Sequence, residues 1–252
     1  MSYLPLTWLP CVRQSLGAGE KIAQAKDQID VDPEAALALV IEAQDTLVKA
    51  GFSGHAAQHE ALRASLLVKV GRGAEAIRRR LDQLWLALDY GHTTSADIAK
   101  HDISKLAEQV DSKAARDHQM VAERAVHLYS NPLGAVPSLA DLLVGDILDR
   151  ARLATLAGET ALAVGNHEWL KESACQIGDL ADDLPADTQN ATLRIRLRIL
   201  AAEGSDVWAP VLGDTRALKL GYDLGALVQA RYARHLAFNQ KFEEADASWD
   251  EA

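Results

Sequence analysis

Helical periodicity that restarts after every short break is what most constrains this chain. Ala163, His167, Leu170, Ala174, Ile177, Ala181 and Leu184 follow one another at alternating four- and three-residue steps. Leu139, Leu143, Ile147, Ala151 and Ala154 show the same kind of spacing. Such steps place side chains on one face of a helix. Stop and start signals divide the pattern. In "DVDPEAALALVIEAQDTLVKAG" Asp32 is placed to cap a helix, Pro33 to fill its first position, and Gly51 to follow its end.

The same reading predicts a helix over 17–29, two more around a Gly71–Gly73 turn, and a further pair around Asp111-Ser112. "NPLGAVP" (131–137) is the clearest irregular stretch. Beyond it, helices are expected at about 138–157, 160–184, 188–203, 206–220, 223–238 and 241–252, with the first two joined at Gly158. "LRIRLRIL" (193–200) alternates apolar and charged residues as a strand would, but its neighbours and its Arg/Leu content favour helix. Some twelve helices in about six hairpins result, and their short connections favour antiparallel neighbours.

Composition narrows the function classes. The 252 residues carry a net charge of −10. Nucleic-acid binding calls for a basic stripe, and the longest basic run is Arg78-Arg79-Arg80. Two distant cysteines, Cys11 and Cys175, form no CxxC pair, so neither a disulfide framework nor a zinc knuckle is expected. "MSYLPLTWLPCVRQ" lacks a basic leader region and is broken by Pro5 and Pro10, which speaks against a signal peptide or a membrane span. These features suit a cytoplasmic protein.

In "LVQARYARHLAFNQKFEEADASWDEA" (227–252), Tyr232-Ala233-x-x-Leu236 precedes a turn at Asn239-Gln240. Phe242-x-x-Ala245-x-x-x-Trp249-x-x-Ala252 follows. This large–small–large ladder resembles a tetratricopeptide repeat (TPR). Related frames fit Pro33-x-x-Ala36-x-x-x-Val40-x-x-Ala43, then Ala64 and Leu67 with Ala76, then Ala151 and Ala154 with Ala163, His167 and Leu170. An average period near 42 residues is similar to the long, divergent repeats of MalT-type regulators. The resemblance implies an all-α, right-handed superhelical solenoid of antiparallel helical hairpins, about six TPR-like repeats in one domain over 1–252. A non-repetitive helical bundle is the competing reading. The last frame ends inside a second helix, so the chain is expected to be an N-terminal fragment of a longer protein.

Two short motifs point elsewhere. Gly145-Asp146-x-x-Asp149 and Gly165-Asn166-His167-Glu168 resemble metal-binding signatures of binuclear metallophosphoesterases. That family also needs an Asp-x-His motif and later histidines, because two ions require many ligands. The sequence has no Asp-x-His, and only His235 lies downstream. On the helical reading His167 packs on a helix seam, and Asp146 and Asp149 face outward. His55 and His59 stand four apart beside Glu60 without a visible third ligand. "SADIAKHDISKLAEQ" (95–109) faintly resembles a helix-turn-helix, but the charge is wrong. No phosphate-binding glycine loop or nucleophile motif is present. The five tryptophans read as packing residues.

No catalytic residue, cofactor or metal site is therefore expected. The resemblance implies a binding groove lined by the first helix of each hairpin. Its candidate contacts are Lys21, Gln28, Gln58, Ser65, Lys69 and Arg234, and its expected partner is a protein, a peptide or another domain of the same polypeptide. No nucleic acid or membrane partner is expected. A sensory or regulatory module, binding a small ligand or restraining an effector domain, is the alternative.

Overall fold

The computed structural model describes residues 10–110, 112–131, 136–185, 190–218 and 222–250. Several features read from the sequence lie outside them: Pro5, Trp8, Asp111, most of "NPLGAVP" and Ala252. Every regular element among the described residues is a helix. In order these are α1 (Pro10–Gln28), α2 (Pro33–Lys49), α3 (Ser53–Gln58), α4 (Glu60–Lys69), α5 (Gly73–Asp89), α6 (Thr93–Gln109) and α7 (Lys113–Ser130). The series continues with α8 (Leu139–Leu142), α9 (Ile147–Ala163), α10 (His167–Asp183), α11 (Ala191–Ser205), α12 (Ala209–Leu218), α13 (Tyr222–Phe238) and α14 (Phe242–Asp250). The strand-like "LRIRLRIL" is helical, inside α11. None of these helices is long and apolar enough to cross a membrane.

The chain divides into two compact units, 1–122 and 123–252. In the first, α1 packs on α2, α2 on α3 and α4, α4 on α5, and α5 on α6. Its core is built on the α2 ladder Ala36, Val40, Ala43 and Leu47, closed by Ile22, Leu66, Leu67 and Ala76. In the second, α9 packs on α10 and α10 on α11, while α13 packs on α14. There α9 also touches α11, and α11 touches α13. Small residues at Ala151, Ala154, Ala157 and Ala161 are fully buried, which suits close approach of neighbouring helices. Trp208 joins Ile195, Ile199, Val211 and Val228 in a satellite core and lies 5.5 Å from the Tyr232 ring.

One turn recurs. The N–H of Phe52 reaches back to Leu47 O, Arg72 to Leu67 O, His92 to Ala87 O, Asn166 to Ala161 O and Lys241 to Leu236 O, all at 2.7–3.0 Å. The residue before each donor has positive φ: Gly51, Gly71, Gly91, Gly165 and Gln240. This is the Schellman helix ending, which satisfies the last carbonyls of a helix. In the first unit it recurs every 20 residues, at 51, 71 and 91.

Three expectations need correction. The single helix expected before the Gly71–Gly73 turn is two, α3 and α4, separated at His59. The hairpin near 160 does not turn at Gly158. That glycine is buried inside α9, where Leu200 of α11 crosses it, and the turn falls at 164–166. Likewise, 138–157 is not continuous: α8 ends at Leu142 and α9 begins at Ile147.

Candidate functional site

The most developed polar site lies in the first unit, where α2, α3, α4 and α5 meet. It begins with Gln44, a polar residue on the apolar face of α2 and only 4% exposed. A buried amide must find partners or destabilise the fold. Gln44 Nε2 donates to the Ala56 carbonyl and to Glu60 Oε1, both at 3.0 Å. The break at His59 makes that possible: the Ala56 carbonyl accepts both this bond and the His59 N–H at 3.2 Å. Gln44 Oε1 accepts from Arg63 Nη1 at 3.0 Å.

Glu60, also buried, is gripped from α5. Arg79 Nη2 donates to Glu60 Oε1 at 2.8 Å and Arg79 Nε to Oε2 at 3.3 Å. That two-pronged contact suits the planar guanidinium. The hydrogen bond it donates to Glu60 raises the Arg79 pKa above its ordinary value, against the effect of burial. Arg63 has the opposite balance. Burial, then the nearby Arg79 charge, lower its pKa, and Glu60, Glu75 and Asp45 only partly compensate. Its hydrogen bond goes to a neutral amide, and its Nε is buried without a partner. These groups line a cavity of about 220 Å³. Asp45 and Gln83 add polar wall, Val48 and Ala56 apolar wall.

Sequence reasoning missed this site because its residues come from several helices and form no linear motif. Two signals were available. Gln44 interrupts an apolar ladder, and Arg79 sits in the Arg78-Arg79-Arg80 run. Successive helical residues point about 100° apart, so the three arginines serve different carboxylates. Arg78 pairs with Asp82, Arg79 with Glu60 and Arg80 with Asp102.

Of the six candidate groove residues, the five in the first unit are not gathered into one cluster. Lys21 is half-buried and paired with Glu42 of α2. Lys69 is exposed and pairs with Asp30 in the α1–α2 turn at 2.5 Å, two residues past Gln28. Gln28 is half-buried, with its Oε1 enclosed and unpartnered. Gln58 ends α3 and is exposed, and Ser65 is exposed with its hydroxyl donating to Leu62 O at 2.8 Å. Arg234 belongs to the second unit, its guanidinium 5.6 Å from the Phe238 ring centroid.

The phosphoesterase-like motifs have a local structural role. Asp146 caps α9, accepting from Asp149 N–H at 2.9 Å, and Asn166 caps α10, accepting from Trp169 N–H at 3.1 Å. Each follows a glycine of positive φ, Gly145 or Gly165. The "Gly-Asp-x-x-Asp" and "Gly-Asn-His-Glu" strings thus spell two helix starts. Two expectations are reversed here: His167 is exposed at the first position of α10, and Asp149 is fully buried. His55 lies inside α3 and His59 at the break that follows it, and the neighbouring Glu60 carboxylate is occupied by Arg79 and Gln44. Residues 95–109 run through α6 without a turn. Trp85, Trp169 and Trp208 are buried as expected, but Trp249 is 63% exposed.

Comparisons with protein families, with curated proteins and with solved structures find no match.

Proposed function

We propose that the chain is a non-catalytic, TPR-like scaffold that binds a protein or peptide along the first helices of its hairpins. The packing of α11 on α9 and of α13 on α11 carries this reading. First helices of successive hairpins touch one another when hairpins stack in a repeat array, and that stacking leaves a continuous ligand-facing surface. Exposed polar side chains on such helices, Gln58, Ser65, Lys69 and Arg234 among them, supply contacts for extended polypeptide. The acidic balance of the chain supports a protein partner over nucleic acid.

Selection of peptides from a random library against the full chain tests the proposal. A selected peptide should bind saturably and lose affinity when Ser65 and Lys69 are replaced together by Glu. Failure to select any saturable binder, or a binder indifferent to every first-helix change, would reject it. A second reading, a sensory module for a small ligand, is favoured by the polar cavity beside Arg63.

A further inference from the structure

We propose that the cavity where α2, α4 and α5 meet is a binding site for a carboxylate on a short aliphatic stem, with Arg63 as its principal contact. It deepens the binding reading given above, on which its peptide source alone rests.

Among the lining groups, Arg63 and Arg79 bring two positive charges, the buried Glu60 and the exposed Asp45 two negative ones. The Glu60 carboxylate is claimed by Arg79 and by Gln44. Arg63 is left with a neutral amide oxygen. A guanidinium carries five N–H donors, and a part-buried one without an anion is poorly compensated. The depressed Arg63 pKa is in the same sense. A single carboxylate would take up the Arg63 donors that no anion engages among the described residues, whereas a phosphate dianion would bring a second negative charge against Glu60 and Asp45.

A planar carboxylate matches the edge of a guanidinium. Val48 and Ala56 offer an apolar wall for a few methylenes, and Gln83 a polar one. At about 220 Å³ the space is below the roughly 300–1,000 Å³ of pockets for drug-sized ligands. It suits one glutamate side chain or one small free acid. Arg63 is already oriented by Gln44, which Glu60 and the Ala56 carbonyl hold in turn. Such preorganisation lowers the ordering cost of binding.

The test uses the full chain with butyrate, its neutral analogue butyramide, inorganic phosphate, and a capped tripeptide with a central glutamate. Nitrogen–proton NMR follows the arginine Nε–H and glutamine side-chain signals. Butyrate should shift them saturably with a dissociation constant on the order of millimolar, as expected for six heavy atoms. Butyramide should not. Arg63→Gln should weaken butyrate about tenfold or more, since a charge-assisted bond is lost, with an unchanged circular dichroism spectrum; Arg63→Lys should restore part of it. If Arg63→Gln does not fold, the contrast between butyrate and butyramide in the unaltered chain decides. Equal effects of the two, butyrate affinity indifferent to Arg63→Gln, or tighter binding of phosphate would each overturn the proposal. Tighter binding of the tripeptide than of butyrate assigns the carboxylate to a peptide. Butyrate binding with the tripeptide excluded keeps the site for a free acid and removes the peptide reading alone.

Discussion

A Cβ placed on Gly204 would stand 2.4 Å from the main-chain oxygen of Leu170. Here α11 lies directly against the backbone of α10, and a backbone has no rotamer to move aside. Gly158 presents a gentler case, because its Cβ would meet the Leu200 Cδ1 at 2.8 Å, the far end of a flexible side chain. Around Gly19 there is nothing within 4 Å. Alanine should therefore act in three ways. Gly204→Ala should cost about 1–3 kcal/mol, overpacking outweighing the better helix propensity. Gly158→Ala should stay within about 1 kcal/mol of the parent. Gly19→Ala should stabilise by roughly 0.5–1 kcal/mol. Urea unfolding midpoints of the three variants give the ranking, and Gly204→Ala as stable as Gly19→Ala would contradict the packing.

The Schellman ending at Gln240 holds a non-glycine residue at φ 60°. A side chain there costs roughly 1–2 kcal/mol relative to the right-handed region, and glycine avoids most of it. Since Gln240 is exposed, Gln240→Gly should raise stability by about 0.5–1 kcal/mol. Thermal unfolding followed at 222 nm reads the change, and a lower midpoint would be inconsistent with the turn.

Asn166 and His167 are adjacent but differ in role. Asn166→Ala removes the cap of α10 and should cost about 1 kcal/mol. His167→Ala alters an exposed first-turn side chain and should stay within about 0.5 kcal/mol. Denaturation of the two variants side by side distinguishes this from the seam-packed His167 expected from the periodicity, which would reverse the order.

Glu60 compensates Arg79 and satisfies Gln44. Glu60→Ala should cost about 2–3 kcal/mol, because both partners remain and lose their acceptor. Combining it with Arg79→Ala should cost less than the sum of the separate effects. Strict additivity in that double-mutant cycle would mean that the two side chains do not interact.

His59 gives a pH signature. Burial, then the charge of Lys26, then that of His55, lower its pKa below the usual 6.5. The unfolded chain then takes up this proton more readily than the folded one. The contribution of His59 is complete above pH 6.5 and is lost as pH falls from 6.5 through the depressed folded value. The stability difference between the parent and His59→Gln should narrow over that window. A difference that is constant with pH would remove His59 as the source.

Much of the helical layout was legible, for local reasons. Asp32, Pro33 and Gly51 mark α2 because a cap, a fixed φ and a left-handed residue act within a few positions: Asp32 accepts from Ala35 N–H at 3.0 Å, and Gly51 has φ +84°. One error comes from the ambiguity of glycine. Gly158 was legible as a turn, yet it serves helix contact, while the real turn uses Gly165. The cavity was illegible because Gln44, Glu60, Arg63 and Arg79 become neighbours only after α2, α4 and α5 pack. Nothing local marks the break at His59, which has no side-chain cap of its own.

Gln44 also determines how α2 may slide on its neighbours. One helical turn is about 5.4 Å, and the residues one turn away on that face are Val40 and Val48. Either displacement would set a valine against the Glu60 carboxylate and leave Arg63 Nη1 and the Ala56 carbonyl facing hydrocarbon. After such a slip the buried amide of Gln44 would lose the partners that satisfy it. The hydrogen bonds of a single glutamine thus oppose a one-turn displacement of α2.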